Sequence, residues 1–220
     1  MTKCVIFGNG QMASIAHFYL KNDSDYEVTG FTVDADHVKE GTFEGLPVVA
    51  FEQVEQHFPT SEYKIFIPIS YAKMNKLRAD KYLAAKAKGY QFVSYISSKA
   101  VIWPGAEIGE NSFILENNVI QPFARIGNNV ILWSGNHIGH HSYIMDHCYL
   151  ASHVVVSGRV TVKPYCFLGV NATIRDNITL ESECLIGAGA LITRDTKAKE
   201  VYAGEATRAA SFASDKIKNI

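Results

Sequence analysis

Five of the chain's eight histidines, His137, His140, His141, His147 and His153, fall within residues 135–153. Imidazoles at this density could do three things: hold a metal ion, take a proton as general base, or simply sit in solvent. A zinc ion needs its nitrogens within about 2.1 Å of a common point. A general base needs one ring aimed at one reacting proton. The choice depends on where the backbone sends each ring.

That direction is set by a repeat. Starting at Ile96 and stepping by six, every position to Ile192 is aliphatic, seventeen in all and without a slip. Four residues after each, the side chain is usually small, as at Ala100, Ala106, Ser112, Ala124, Ser142, Ala172 and Ala190. A period of six is neither helical nor a simple strand alternation, and it marks a hexapeptide solenoid, a parallel β-helix. Three hexapeptides close a triangular coil, and coils stack at the strand spacing of about 4.8 Å. Cys148, Cys166 and Cys184 share the small inward position at intervals of 18, so they read as a packed column. Asn118 and Asn136 occupy it too, and an internal amide ladder is expected of them.

In this register His141, His147 and His153 each follow an inward position by three residues, which puts them on three different sides of one coil. Rings splayed around a prism cannot meet on one ion within a subunit, so no metal is expected. A histidine set shared between subunits is the alternative.

Residues 1–95 are organised differently. KCVIF (3–7) reads as a buried strand, GNGQMA (8–13) as a glycine turn, and Met12, Ile15, Ala16, Tyr19 and Leu20 as the face of a helix. YEVTGFTV ends in Asp34, KIFIPI (64–69) is a further strand, and a helix is expected over 72–88, closed by Gly89. Strands alternating with helices imply a small parallel sheet. Gly8-Asn9-Gly10 followed by Asp34 is similar to a nucleotide-binding fingerprint: glycines admit a phosphate to the backbone, and an acid meets a ribose. NAD is the first guess, but no second mononucleotide half follows. The division is therefore 1–95, a Rossmann-like domain; 96–195, the β-helix; and 196–220, a tail that departs from the repeat and covers the last coil.

Composition narrows the classes. A net charge of −1 gives no reason to expect nucleic acid or an anionic membrane as partner. No window reaches the ~18 apolar residues of a membrane span, and four cysteines without CxxC spacing suit a reducing compartment. A cytoplasmic protein is expected.

A truncated nucleotide-binding domain followed by a left-handed hexapeptide β-helix resembles the bacterial nucleotide-amino-sugar N-acetyltransferases. These are the bacillosamine and perosamine N-acetyltransferase type, grouped with sialic-acid O-acetyltransferases. The resemblance implies acetyl-CoA as co-substrate, a nucleotide-linked amino-dideoxy sugar as acceptor, a role in bacterial surface glycan biosynthesis such as that of O-antigen, and a homotrimer with active sites between subunits. Matching the CFLG stretch (166–169) and counting back puts the family's general base on His140 and its usual Glu on His141. Asp146 or a carboxylate of a neighbouring subunit could stand in for that Glu. The same match implies Gly158 as backbone oxyanion donor and Val170 and Ala188 as coenzyme-channel positions. Asn9, Gly10 and Gln11 would form the sugar-nucleotide loop, with Asp34 as the acidic nucleotide contact. The family's Gly-Asn pair after the third strand is Ser70-Tyr71 here. Sugar O-acetylation and a metal-dependent enzyme like the γ-carbonic anhydrases are the alternatives on the same solenoid.

Overall fold

The structure, a computed structural model, describes residues 1–39, 41–209 and 211. The N-terminal unit is built on β1 (Thr2–Phe7), α1 (Gln11–Asn22), β2 (Tyr26–Val33), a short hairpin of β3 (Thr42–Phe43) and β4 (Leu46–Ala50), α2 (Val54–His57), β5 (Lys64–Phe66) and α3 (Lys76–Ala87). The sheet order is β3-β4-β2-β1-β5, and all neighbours are parallel except within the hairpin. β1 alternates little because both of its faces are covered: Cys4 and Ile6 face α1, while Val5 and Phe7 face Phe51, Val54 and Tyr82. KIFIPI continues as a strand only to Phe66. Pro68 cannot donate to a ladder, and the backbone of Ile67 pairs instead with the Asn111 side chain, at 2.9 Å from its N–H and 3.2 Å to its carbonyl. The helix expected over 72–88 begins at Lys76, because Lys73, Met74 and Asn75 all have left-handed φ, 52° to 65°.

The remainder is a prism. Seventeen two-residue strands recur every six residues from Tyr95–Ile96 to Leu191–Ile192, and in each the second residue is the predicted inward aliphatic. They form three parallel sheets of six, five and six strands, a stack that fits a left-handed β-helix. From Ile114 to Ile192 these side chains form one buried core with Cys148, Cys166 and Cys184. Val201–Tyr202, beyond the break in the repeat, adds the seventh strand by pairing with Leu185–Ile186. The rest of the predicted covering tail has no helix or strand over 203–209, and residues 210 and 212–220 lie outside the described residues.

The asparagine expectation needs correction. Asn118 and Asn136 do not bond to one another; their amides donate to backbone carbonyls, among them that of Trp133, at 2.8 and 2.5 Å. The side-chain ladder lies on a corner instead, running from Asn111 to Asn129 (2.8 Å) and from Asn129 to His147 Nδ1 (2.8 Å).

This ladder docks the two units. Arg78 of α3 is fully buried and donates to the carbonyls of Asn129, Ile69, Ser70, His147 and Cys148 and to Asn75 Oδ1, at 2.9 to 3.3 Å. Asn75 donates to the carbonyls of Tyr165 and Cys166, and Lys76 pairs with Glu183. Around them one apolar core joins Cys4, Ile6, Leu20 and Phe31 to the outward Tyr95, Phe113, Ile131 and Tyr149 of one prism face. Among the described residues no helix is long and apolar enough to cross a membrane.

Candidate active site

From Ile102 to Ile186 the residue three after each inward position turns the corner of the prism in a left-handed conformation; His141, His147 and His153 have φ 59°, 64° and 59°. Asparagine and histidine tolerate this region better than β-branched residues do. The three rings therefore occupy three corners, not the three sides. Among the described residues no group of three or more His, Cys, Asp or Glu is arranged to hold a metal ion.

Each corner has its own environment. His147 is not a surface residue: it is 8% exposed, lies against Tyr165 with the rings tilted by 30° (centroids 4.9 Å apart) and belongs to the docking ladder. Burial pulls its pKa below the usual imidazole value, and the nearby Asp146 opposes that only in part. His153 is exposed, with its ring over Gly135, where an added Cβ would come within 2.6 Å of it. His137 lies on a face, between Val119 and Val155.

His140 and His141 share the third corner. Both are exposed, and their Nδ1 atoms are 3.1 Å apart, so one ring donates to the other. The backbone N–H of His140 donates to Gln121 Oε1, and His141 lies against Phe123 (centroids 4.8 Å apart). One coil further on, His140 rests on Gly158: a Cβ there would be 2.8 Å from both Cε1 and Nε2 of the ring. The Gly158 N–H has no acceptor among the described residues. Asp146 does not reach this corner. It sits beside His147 at another one, where it accepts from the Asn128 N–H at 2.8 Å.

Val170 and Ala188 lie at the corner of His153, away from His140. They border a groove of about 370 Å³ with Tyr71, Trp133, Tyr149 and Phe167. Tyr149 and Phe167 stack at 14° and 5.4 Å, and Tyr71 meets both edge-on. Gly204 of the tail closes on the Ala188 carbonyl so tightly that no side chain fits there. Of these aromatics only Tyr71 is marked by the sequence reading, although a signal for Tyr149 and Phe167 is present. Tyr95, Phe113, Ile131, Tyr149, Phe167 and Leu185 precede the inward positions at intervals of 18, an apolar outward column that marks a covered face.

The predicted nucleotide loop is one site. Asn9, Gly10, Gln11 and Asp34 line a cavity of about 500 Å³ at the carboxyl ends of β1 and β2, with Ser70, His37 and Lys81. Gly8 turns the chain at φ 124°, a conformation glycine alone adopts readily, and Asn9 Nδ2 donates to the His37 carbonyl at 3.2 Å. Ser70 borders this cavity and Tyr71 the aromatic groove, so the two are separated by a single peptide link.

Solved structures with this fold include a histidine-to-asparagine variant of perosamine N-acetyltransferase from Caulobacter crescentus in complex with CoA and GDP-perosamine. It has a TM-score of 0.81 at 24% identity, over 92% of this chain and 93% of that one. The acetyltransferase domain of PglB from Neisseria gonorrhoeae FA1090 aligns at TM-score 0.80 and 22% identity, over 93% and 97%. WeeI from Acinetobacter baumannii AYE aligns at 0.78 and 19%, over 92% and 97%. No curated protein matches the sequence. The resemblance to nucleotide-amino-sugar N-acetyltransferases thus holds for the fold of nearly the whole chain. Residues 91–202, which run from the end of the N-terminal unit through the solenoid to its last strand, match the GMPPB C-terminal domain, and the chain belongs to that family.

Proposed function

We propose that the protein transfers an acetyl group from acetyl-CoA to the free amine of a nucleotide-linked amino-dideoxy sugar, as in the building of bacterial surface glycans. The observation that carries this reading is the His140 corner: an exposed imidazole lying on a glycine whose N–H has no acceptor among the described residues. The glycine turn after β1 and the acid after β2 support a Rossmann-like reading of residues 1–95 and a nucleotide site at Asn9, Gly10, Gln11 and Asp34. The glycine- and alanine-rich corner at Val170, Ala188 and Gly204, beside an aromatic groove, suits a coenzyme channel. Acetyl-CoA supplies an activated thioester, so neither a metal nor a covalent enzyme intermediate is required.

His140 takes the proton that the attacking amine gives up, and Gly158 donates its N–H to the oxygen on which negative charge develops. Such a base is worth about 10²–10⁴ in rate and such a donor about 10²–10³. His140 acts through Nε2, so its Nδ1 carries a proton and donates to Nδ1 of His141. His141 replaces the family's carboxylate as the group that orients the base. It holds the tautomer without supplying the charge that would stabilise an imidazolium.

The base and the coenzyme positions flank one uncovered face. Its outward residues Val101, Val119, His137, Val155, Thr173 and Leu191 are mainly apolar, with Val101 and Leu191 50% and 65% exposed. The neighbouring face presents Glu107, Arg125, Tyr143, Thr161 and Thr179. A homotrimer that turns the apolar face toward its axis puts the His140 corner of each subunit beside the Val170 corner of the next. Acetyl transfer then takes place between subunits.

The test is to mix the protein with acetyl-CoA and UDP-, dTDP- and GDP-linked 4-amino-4,6-dideoxy sugars, following thiol release and product mass. One acetyl group gained at the amine of one member is the expected result. Acetyl-CoA binding without transfer to any of them would redirect the assignment to a hydroxyl acceptor, and absence of acetyl-CoA binding would overturn acyl transfer itself.

A further inference from the structure

Lys81 of α3 reaches into the nucleotide cavity and pairs with Asp34, Nζ to Oδ1 2.5 Å, with the two side chains 21% and 33% exposed. Its ammonium also lies over the rings of Phe7 (5.5 Å) and Phe51 (5.8 Å). Among the described residues lining this cavity only Asp34, His37 and Lys81 are titratable, and Lys81 is the single lysine or arginine among them. Paired, the acid and the ammonium cancel. The free cavity is then nearly neutral, although a nucleoside diphosphate brings two or more negative charges.

The two halves of the pair suit different parts of such a ligand. Asp34 directly follows β2, the strand after the glycine turn, where a carboxylate accepts from ribose hydroxyls. A carboxylate held by an ammonium is a poorer acceptor for them. An ammonium on a flexible four-carbon stem can leave the carboxylate for a phosphate a few ångströms away, and it remains a good phosphate ligand as a point charge. We propose that Lys81 is the diphosphate-binding cation of the cavity, held in reserve by Asp34, and that the ligand exchanges the internal ion pair for two contacts of its own. This rests on the nucleotide reading of the cavity and adds a residue and a selectivity to it. A nucleoside alone must break the pair without recovering the lysine's partner, so the site discriminates in favour of diphosphates.

Titration calorimetry tests this with UDP, dTDP and GDP, each against its own nucleoside, at low and high salt. For the diphosphate that binds best, Lys81→Met is expected to weaken binding about tenfold or more and to leave the nucleoside unchanged or slightly tighter. Lys81→Arg is expected to keep most of the diphosphate affinity. In the unmodified protein, salt should weaken the diphosphate far more than the nucleoside, a readout that holds even if Lys81→Met does not fold. Equal losses for nucleoside and diphosphate, no loss at all, or a salt response shared by both ligands would overturn the proposal while leaving the nucleotide site standing. If the unmodified protein binds none of the three diphosphates, the nucleotide reading falls and takes the proposal with it; acetyl-CoA binding, read in the same instrument, separates that outcome from a failure of acyl transfer.

Discussion

His140 and Gly158 are eighteen residues apart in the chain and one strand spacing apart in the fold, because consecutive coils stack in register. The ring of the proposed base, whose Cε1 and Nε2 would come within 2.8 Å of a Cβ on the next coil, tolerates only a hydrogen there. Gly158→Ala should therefore push the ring aside without unfolding the solenoid, since the imidazole is exposed and free to swing. A displacement of about 1 Å can cost as much as 10² in rate. The expected outcome is turnover reduced at least tenfold, with a thermal midpoint close to that of the unmodified protein, measured side by side. A variant of unaltered turnover would separate Gly158 from the chemistry. The pairing of His140 with Gly158 is legible in the sequence only through the family match at CFLG, which leaves the orienting group open to Asp146, carried by the coil to another corner, or to a carboxylate of a neighbouring subunit. His141, next to His140 in the chain, was the nearer answer.

α3 and the corner ladder carry the junction between the two units, and little of that junction could be read in advance. Its contacts join side chains to carbonyls across sequence separations of 44 to 91 residues, and neither periodicity nor composition records them. The solenoid, by contrast, was legible to the residue, because one inward aliphatic every six positions satisfies every coil alike. Arg78 is the keystone. Burial depresses its pKa to about 10, still well above neutral pH, so it is a buried cation satisfied by six neutral oxygens and no carboxylate. Arg78→Met takes the donor from all six; the Cys148 carbonyl keeps the Ile131 N–H, and each of the others that cannot relax costs roughly 1–3 kcal/mol. A loss of about 3 kcal/mol or more is expected, read as a lower denaturation midpoint.

His147 adds a pH dependence to the same element. The fold holds it neutral, with its pKa below the ordinary value, and Nδ1 accepts from Asn129. Below about pH 6.5 the unfolded chain gains a proton that the folded one refuses. Stability is therefore full above that pH and falls as the solution is acidified toward the folded pKa. His17, also lowered by burial, acts in the same direction. The chemical-denaturation midpoint followed from pH 7.5 to 5.5 should decline, and His147→Asn should make the decline shallower. An unchanged slope would place the titration elsewhere.

At the scale of the whole molecule the sequence-derived site divides in two. His140, His141 and Gly158 stand at one corner, Val170 and Ala188 at another, and an apolar face lies between them. The proposed threefold assembly on that face would make one site from two halves. Val155, 37% exposed in the middle of it, is the position at which to break the assembly. Val155→Glu brings three carboxylates to the axis, and a monomer with an intact circular-dichroism spectrum and no acetyl transfer is expected in sedimentation. Full transfer by that monomer would place both halves of the site in one chain. The most direct measurement is steady-state transfer from acetyl-CoA to the preferred nucleotide-linked amino sugar, comparing the unmodified protein with His140→Asn. A fall in kcat of about 10²–10⁴ with unchanged acetyl-CoA affinity is the predicted result, and equal turnover in the two proteins would contradict it.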